Sequence, residues 1–573
     1  MGSNRTGSAG GRHLRRVIIV VATVTLLSYG AGSFAYLAAF RVEREPDTVV
    51  LGVSPGWADD AVRLAGAFEA AGENRRVVVR EVAGADLAGA ELARLFREGV
   101  IDCALAEGAA GRPDFRHADI LAGPFPSARV AVSLEEARAL CRGLQDDPPA
   151  PSGAPAAPRS WAGAGLALID LADRAPDRQL LEVGGVFPTL ATVLDGTYPL
   201  TCEVCLTVRR PTGLFGLLAG VPGLSRWAQA NGPVLRELAT WATTGAARAA
   251  FYGTASEITL TAVGDVMLGR GVATKIDENG LDYPFGLVAE RLRAADIAVG
   301  NLEAPLGTTG AMLPGKQIWL RGKPEYVECL KAAGLDIVNL ANNHILDFDS
   351  PCLRETFDVL DRNEIARRGV HAGAAAARVP AILEAGGLRV AFLGFTEFAD
   401  PGLFWDFTYQ RSFAAAEDTP GCNPLDLAVI AEDIAKARTQ ADIVVVVYHW
   451  GLEDIPYPQA FNPVNDLEAI ARQTIDLGAN VVLGTHPHAV QGFEIYKKGL
   501  IAYSLGNFVN DQRRDTQKES LILEMQVGPS GVLSVRVTPC WIDGNRPRVL
   551  TGPEAGRLLE KIEAISLKWR GPP

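Results

Sequence analysis

Between residues 257 and 490 the chain repeats one pattern five times. An apolar run of strand length stops, and an Asp, Glu, Asn or His follows at once. "LTAVGDVMLGRG" offers Asp265, and "ADIAVGNLEAPLG" offers Asn301 and Glu303. "LDIVNLANNHILDFD" offers Asn342, Asn343, His344 and Asp347. "ADIVVVVYHWGLE" offers His449 and Glu453, and "ANVVLGTHPH" offers His486 and His488. Short apolar runs alternating with helical spacing predict an α/β fold. In an open α/β sheet, ligands bind beyond the C-terminal ends of the strands. The fold therefore gathers these distant residues at one edge. Five of the seven histidines lie between 344 and 488. If "VVLGTHPH" stays extended, His486 and His488 are two apart and face the same way. Carboxylate, amide and imidazole donors without a thiol suit Mn, Zn or Fe. One or two divalent ions are expected, and a shared Glu303 or Asp265 could bridge two ions about 3.5–4 Å apart.

A chain of 573 residues is too long for a single core. Residues 1–16 are Gly-, Ser- and Arg-rich and are expected to be disordered. From Val17 to Phe40 no charge interrupts the apolar sequence. As a helix rising about 1.5 Å per residue it would extend roughly 36 Å, enough for a hydrocarbon core of about 30 Å. Arg12, His13, Arg15 and Arg16 before it place the N-terminus in the cytoplasm. The expectation is a single-pass anchor at 17–40 in the cell membrane, with the bulk of the chain extracytoplasmic. A cleaved signal peptide is the alternative, and it exports the same residues. Residues 48–254 alternate strands and helices as a first α/β domain, interrupted by a Pro-rich loop at 146–160. Residues 257–545 form a second α/β domain, and 552–570 an amphipathic C-terminal helix. The net charge of -12, with no basic block, excludes nucleic acid as the expected partner. Cys202 and Cys205 form a CxxC in "TCEVCLTV", but strand alternation turns their thiols to opposite faces, and nothing nearby completes a zinc site.

Two resemblances follow from these motifs. The order GD, GNLE, NNH, H and GTHPH, with "YSLGNFVND" and "RGKPEYVECLKAAGLDIVNLANNH", resembles the CapA family of capsule and poly-γ-glutamate biosynthesis. That family is similar to the calcineurin-like metallophosphoesterases, so the resemblance implies a four-layer αββα domain over about 257–515. It also implies Asp265 as a first metal ligand, Glu303 near the bridge and Asn343 as a ligand. His449 and His486 would serve one ion, and His488 the other. His344 would be the acid toward a leaving group, with Asp347 orienting it. Phosphoesterases have a histidine two after the first aspartate, where this chain has Met267. In the first domain, "TVVLGVSPGWADDAVRLAGAF" and "VLDGTYPLTCEVCLTVRR" resemble the opening and the return segment of periplasmic phosphate-type solute-binding domains.

Arg270, Asn301 and Lys323 lie near motif ends and are candidates for binding an anionic substrate; Asn301 could instead shape a turn. His371, Trp405 and Trp450 are expected to be structural. Three functions fit. The first is a metal-dependent hydrolase of phosphoesters or amides, acting in capsule or poly-γ-glutamate metabolism. The second is a non-catalytic scaffold that binds an anionic polymer, poly-γ-glutamate or capsule polysaccharide, within a synthase or export complex. The third is a solute sensor coupled to the second domain.

Overall fold

The computed structural model describes residues 256–373, 378–399 and 412–569 continuously, and between residues 19 and 208 separate strands and helices with a few neighbours. Several expectations lie outside the described residues: the basic terminus 1–16, residues 146–158 of the Pro-rich loop, the helices expected between 209 and 255, and Trp405. The chain divides into two compact units, one of residues 1–116 with 202–251, the other of 117–201 with 252–573. Residues 117–201 thus group with the C-terminal unit, not with the 48–254 domain expected from sequence. Arg174 pairs with Glu257 at 2.5 Å, and the Arg536 guanidinium stacks on Phe187 at 4.6 Å.

In the first unit the strand–helix–strand reading of residues 48–81 holds. Thr48–Val53 and Arg76–Glu81 are parallel strands joined through the helix Ala58–Ala70. Ala61, Leu64, Ala65 and Phe68 recur at helical spacing and are buried. Cys103–Glu107 pairs parallel with the first strand and antiparallel with Thr201–Val208, the returning strand.

The expected membrane helix is replaced by a two-stranded antiparallel ribbon, Ile19–Leu27 against Phe34–Val42. The cause is composition. "IVVATVTLL" is dense in β-branched residues, which favour strands. Among the described residues no helix is long and apolar enough to cross a membrane.

Within the second unit, residues 256–569 are built on two large sheets. The first runs Ala366–Arg368, Ile337–Asn339, Ile297–Leu302, Ile258–Val266, Glu519–Gly528, Gly531–Asp543 and Arg546–Val549, with Asn507–Val509 beside Ile258–Val266. Its first four strands are parallel. The second runs Ala381–Ala385, Leu388–Thr396, Ile443–His449, Val481–Thr485, Gly499–Ala502 and Phe493–Tyr496, with four parallel strands at its centre. Leu260, Ala262 and Val299 of one sheet share a core with Phe392, Val445 and Leu483 of the other, so the sheets pack face to face. The helices Arg270–Asn279, Val327–Ala333 and Asp349–Arg362 cover the outer face of the first sheet. Leu427–Arg438 and Leu467–Asp476 cover the outer face of the second. The order is helix, sheet, sheet, helix. Strands buried on both faces read as unbroken apolar runs, which is why "IVVVVY" shows no alternation. The C-terminal helix Gly552–Ser566 seats Leu558, Leu559 and Ile562 against the inter-sheet core.

Candidate metal centre

The parallel strands of both sheets end along one edge, and the polar residues that follow them meet there. Asp265 is the first. Its strand carries an irregularity between Ala262 and Asp265, where three steps on one strand match two on Ile297–Leu302. The extra residue switches the alternation and re-aims Asp265. Gly264 permits this, since a Cβ there would lie 1.9 Å from the Gly506 carbonyl oxygen. Gly484, before the second histidine motif, has the same role: its Cβ would stand 1.8 Å from the Tyr503 oxygen.

His449 closes its strand, fully buried. Nδ1 faces Thr485 Oγ1 at 3.0 Å and Asn301 Nδ2 at 3.2 Å. Nε2 faces Asn343 Oδ1 at 2.9 Å, His486 Nδ1 at 3.1 Å and Glu303 Oε1 at 3.7 Å. Beyond the second sheet the expected geometry fails in an informative way. The strand Val481–Thr485 stops before the histidines, and His486 and His488 take positive φ values of 95° and 54°. A left-handed backbone at a non-glycine residue costs on the order of 1–3 kcal/mol and clusters at functional sites. The rings lie 5.6 Å apart at 43° and serve different neighbours. His486 meets His449, and its amide donates to Asp265 Oδ2 at 3.1 Å. His488 Nδ1 faces Asn507 Oδ1 at 3.0 Å and Asp265 Oδ2 at 3.3 Å. Both are acceptors, so Nδ1 carries a proton; Nε2 faces Glu303 Oε1 at 3.8 Å.

Two groups of donor atoms result: Glu303 with His449 and His486, and Asp265 with Glu303 and His488. Glu303 belongs to both. Its carboxylate is buried, and neither oxygen has a hydrogen-bond partner among the described residues. Burial, then the Asp265 charge, push its carboxyl well above the usual range. Burial holds His449 and His486 well below the ordinary imidazole value, with neighbouring histidines adding to it. For His488 burial acts downward, but Glu303 and Asp265 outweigh it and raise the ring to about 10. Without an ion, a proton on His488 is what balances the two carboxylates. An orphaned buried carboxylate, converging imidazole nitrogens and an absence of sulfur donors fit a divalent cation.

The remaining candidates divide. His344 donates from Nδ1 to Asp347 Oδ2 at 2.7 Å, and its Nε2 has no hydrogen-bond partner among the described residues. Burial lowers its pKa despite Asp347. Asn343 stands beside His449. Asn301 is not placed to meet a substrate: it is fully buried, donates to Asp265 Oδ1 at 2.7 Å, and accepts from Asn339 Nδ2 at 2.9 Å. Its amide orients Asp265. Lys323 pairs with Asp277 at 2.7 Å. Arg270 pairs with Asp511 at 2.5 Å, although its charge still reaches Glu303. Trp450 is buried, its Nε1 donating to the Tyr503 oxygen at 3.0 Å, and His371 makes a ring contact with Phe357.

Sequence reasoning missed four supporting residues. Thr485 and Asn507 steady His449 and His488. Glu397 takes the backbone N–H groups of Gly451, Phe461 and Asn462, tying down the loop that follows His449. It sits directly after the strand Leu388–Thr396, so the same strand-end signal was present in "AFLGFTE". Lys316 lies in a glycine- and proline-bearing loop with no such signal, yet reaches Asp347 and the Asn343 carbonyl.

The unit is a two-sheet α/β domain with a buried histidine–carboxylate cluster at its strand ends. Residues 259–512 match the bacterial capsule synthesis protein family PGA_cap. The chain is 32% identical over 302 residues to a capsule biosynthesis protein CapA of Bacillus anthracis, covering 52% of this chain and 70% of that protein. It is 33% identical over 281 residues to a PGA biosynthesis protein CapA of Bacillus subtilis, covering 48% and 70%. The chain belongs to this CapA capsule-synthesis family. Among solved structures, an ABC-type phosphate transport receptor from Vibrio cholerae aligns with 34% of this chain and 96% of its own. Its identity is 12% and its TM-score 0.24, too low to carry an argument about the first unit.

Proposed function

We propose that this protein is a metal-dependent hydrolase acting on an anionic polymer, poly-γ-glutamate or capsule polysaccharide, during its synthesis or export. One observation supports this most directly: the Glu303 carboxylate, buried without a hydrogen bond, lies between His449 and His488. The residues that would hold ions are Glu303, Asn343, His449 and His486 for one, and Asp265, Glu303 and His488 for the other. Mn, Zn or Fe fits those donors. A bound divalent ion would polarise an ester or amide oxygen and lower the pKa of water toward neutrality. The chain's own residues do the rest. Asn301 and the His486 amide fix the Asp265 carboxylate. Asp347 holds the Nδ1 proton of His344, leaving Nε2 unprotonated, so that it takes a proton from the attacking water and then passes it to the leaving group.

The scaffold reading draws on Met267. Its Sδ accepts from the Gly269 amide at 3.1 Å inside the core, so it adds no donor to the Asp265 group. Elemental analysis of the full chain beside His486→Ala/His488→Ala separates the two. Two ions per chain, lost in the variant, support the hydrolase. Metal below one ion per chain refutes it and leaves a polymer-binding component beside synthase subunits.

We also propose residence at the cell membrane, the bulk of the chain outside the cytoplasm. The uncharged run Val17–Phe40 after an arginine cluster supports it. Recovery of the full chain in the cytosolic fraction would refute this.

A further inference from the structure

Lys316 is a buried cation that touches residues of the proposed site. Its side chain is 7% exposed, although Met312 and Ile318 on the same loop are 58% and 51% exposed. The loop therefore turns a lysine inward and leaves apolar side chains in water, the reverse of the usual preference. Burying an ammonium is costly unless it is paired and hydrogen-bonded. Here Nζ donates to the Asn343 carbonyl at 2.5 Å and to Asp347 Oδ1, and lies 5.5 Å from the Phe413 ring centre. The other Asp347 oxygen accepts from His344 Nδ1 at 2.7 Å and from the Leu320 amide at 2.5 Å. Three donors from two segments thus fix one carboxylate. Because a carboxylate can only accept, His344 is held as the tautomer with its proton on Nδ1.

We propose that Lys316 is a positioning residue that acts on two sides of the site at once. Through Asp347 it sets the His344 ring, and through the Asn343 carbonyl it sets the turn that presents the Asn343 amide to His449. The consequence for catalysis rests on the hydrolase reading above. The geometric claim does not. Lysine suits the position because one ammonium can donate in several directions, toward a carbonyl and a carboxylate together.

The test uses the full chain with 15N-labelled histidine, as wild type, Lys316→Met and Lys316→Arg. The His344 signal is identified by its loss in His344→Gln. The proposal expects a downfield Nδ1–H signal for His344 in metal-free wild type, absent in Lys316→Met and present in Lys316→Arg. Titration with Mn2+ or Zn2+ should show dissociation constants about 10–100-fold weaker in Lys316→Met, the range for partners that orient ligands. A His344 signal that persists unchanged in Lys316→Met overturns the proposal. If wild type binds neither ion, the hydrolase reading fails, while the histidine spectrum still decides the role of Lys316. Should Lys316→Met not fold, Lys316→Gln carries the same comparison, since its amide can donate to Asn343 but brings no charge to Asp347.

Discussion

Replacing Glu303 with glutamine should stabilise the metal-free protein and cancel its response to metal. Glu303 is 1% exposed, both oxygens lack donors, and the net effect of its surroundings is to disfavour the charge, despite His488. Leaving a buried polar group unsatisfied costs about 1–3 kcal/mol, and more when it is charged. The Glu303→Gln amide keeps the shape and removes the charge, so with chelator present the variant should gain about 1–3 kcal/mol, a Tm rise on the order of 5 °C. Metal reverses the order. Glu303 belongs to both donor groups, so its loss weakens both. A site filled at 100 times its Kd adds about 2.7 kcal/mol to wild type, and the variant forgoes this. Thermal melts with chelator and with Mn2+ or Zn2+ should therefore cross: variant above wild type without metal, below it with metal. A variant less stable than wild type in chelator would refute the claim that the burial of the Glu303 carboxyl is left without a compensating hydrogen bond. Equal metal shifts in both proteins would refute its place in the centre.

Two further outcomes follow from the same geometry. Metal-free stability should fall on both sides of about pH 6.5, as measured by melts from pH 5 to 10. His449 and His486 have folded values below 6.5, so the unfolded chain takes up protons first as pH falls, a loss approaching about 1.4 kcal/mol per pH unit for each ring. His488 is raised to about 10, so its contribution is present below 6.5 and disappears as pH rises toward 10; a flat profile would contradict the proton balance. Glu397→Gln replaces one oxygen of a carboxylate that accepts from Gly451, Phe461, Asn462 and the Asn465 side chain, setting donor against donor. It should cost about 1–3 kcal/mol and raise hydrogen exchange across residues 451–465; unchanged exchange there would refute its anchoring role.

Much of the site was readable because of how α/β sheets work. Parallel strands begin and end in register, so a polar residue after each apolar run must arrive at a shared edge. Asp265, Glu303, His449, His486 and His488, whose donor atoms the structure brings together, all follow apolar runs, as does Asn343 beside His449. The substrate-binding candidates fared differently. Lys323 and Arg270 have carboxylate partners at 2.7 and 2.5 Å, and Asn301 is enclosed. A charge near a motif end says nothing about the acid that folding brings beside it. Residues 17–40 read as a helix from length and lack of charge, whereas the structure pairs Ile19–Leu27 with Phe34–Val42, in keeping with their β-branching.

By itself the sequence determined the alternation of strands and helices, the edge at which the donors collect, and the lack of cysteine in the motifs that supply them. These are local properties, written in hydrophobic spacing and residue type. Tertiary structure decided what each donor faces. The irregularity before Asp265, the left-handed turns at His486 and His488 and the inward reach of Lys316 arise from contacts between segments far apart in the chain. So does the burial that leaves Glu303 shared and unpaired, because desolvation depends on everything packed around a group, and only the folded chain assembles that surrounding.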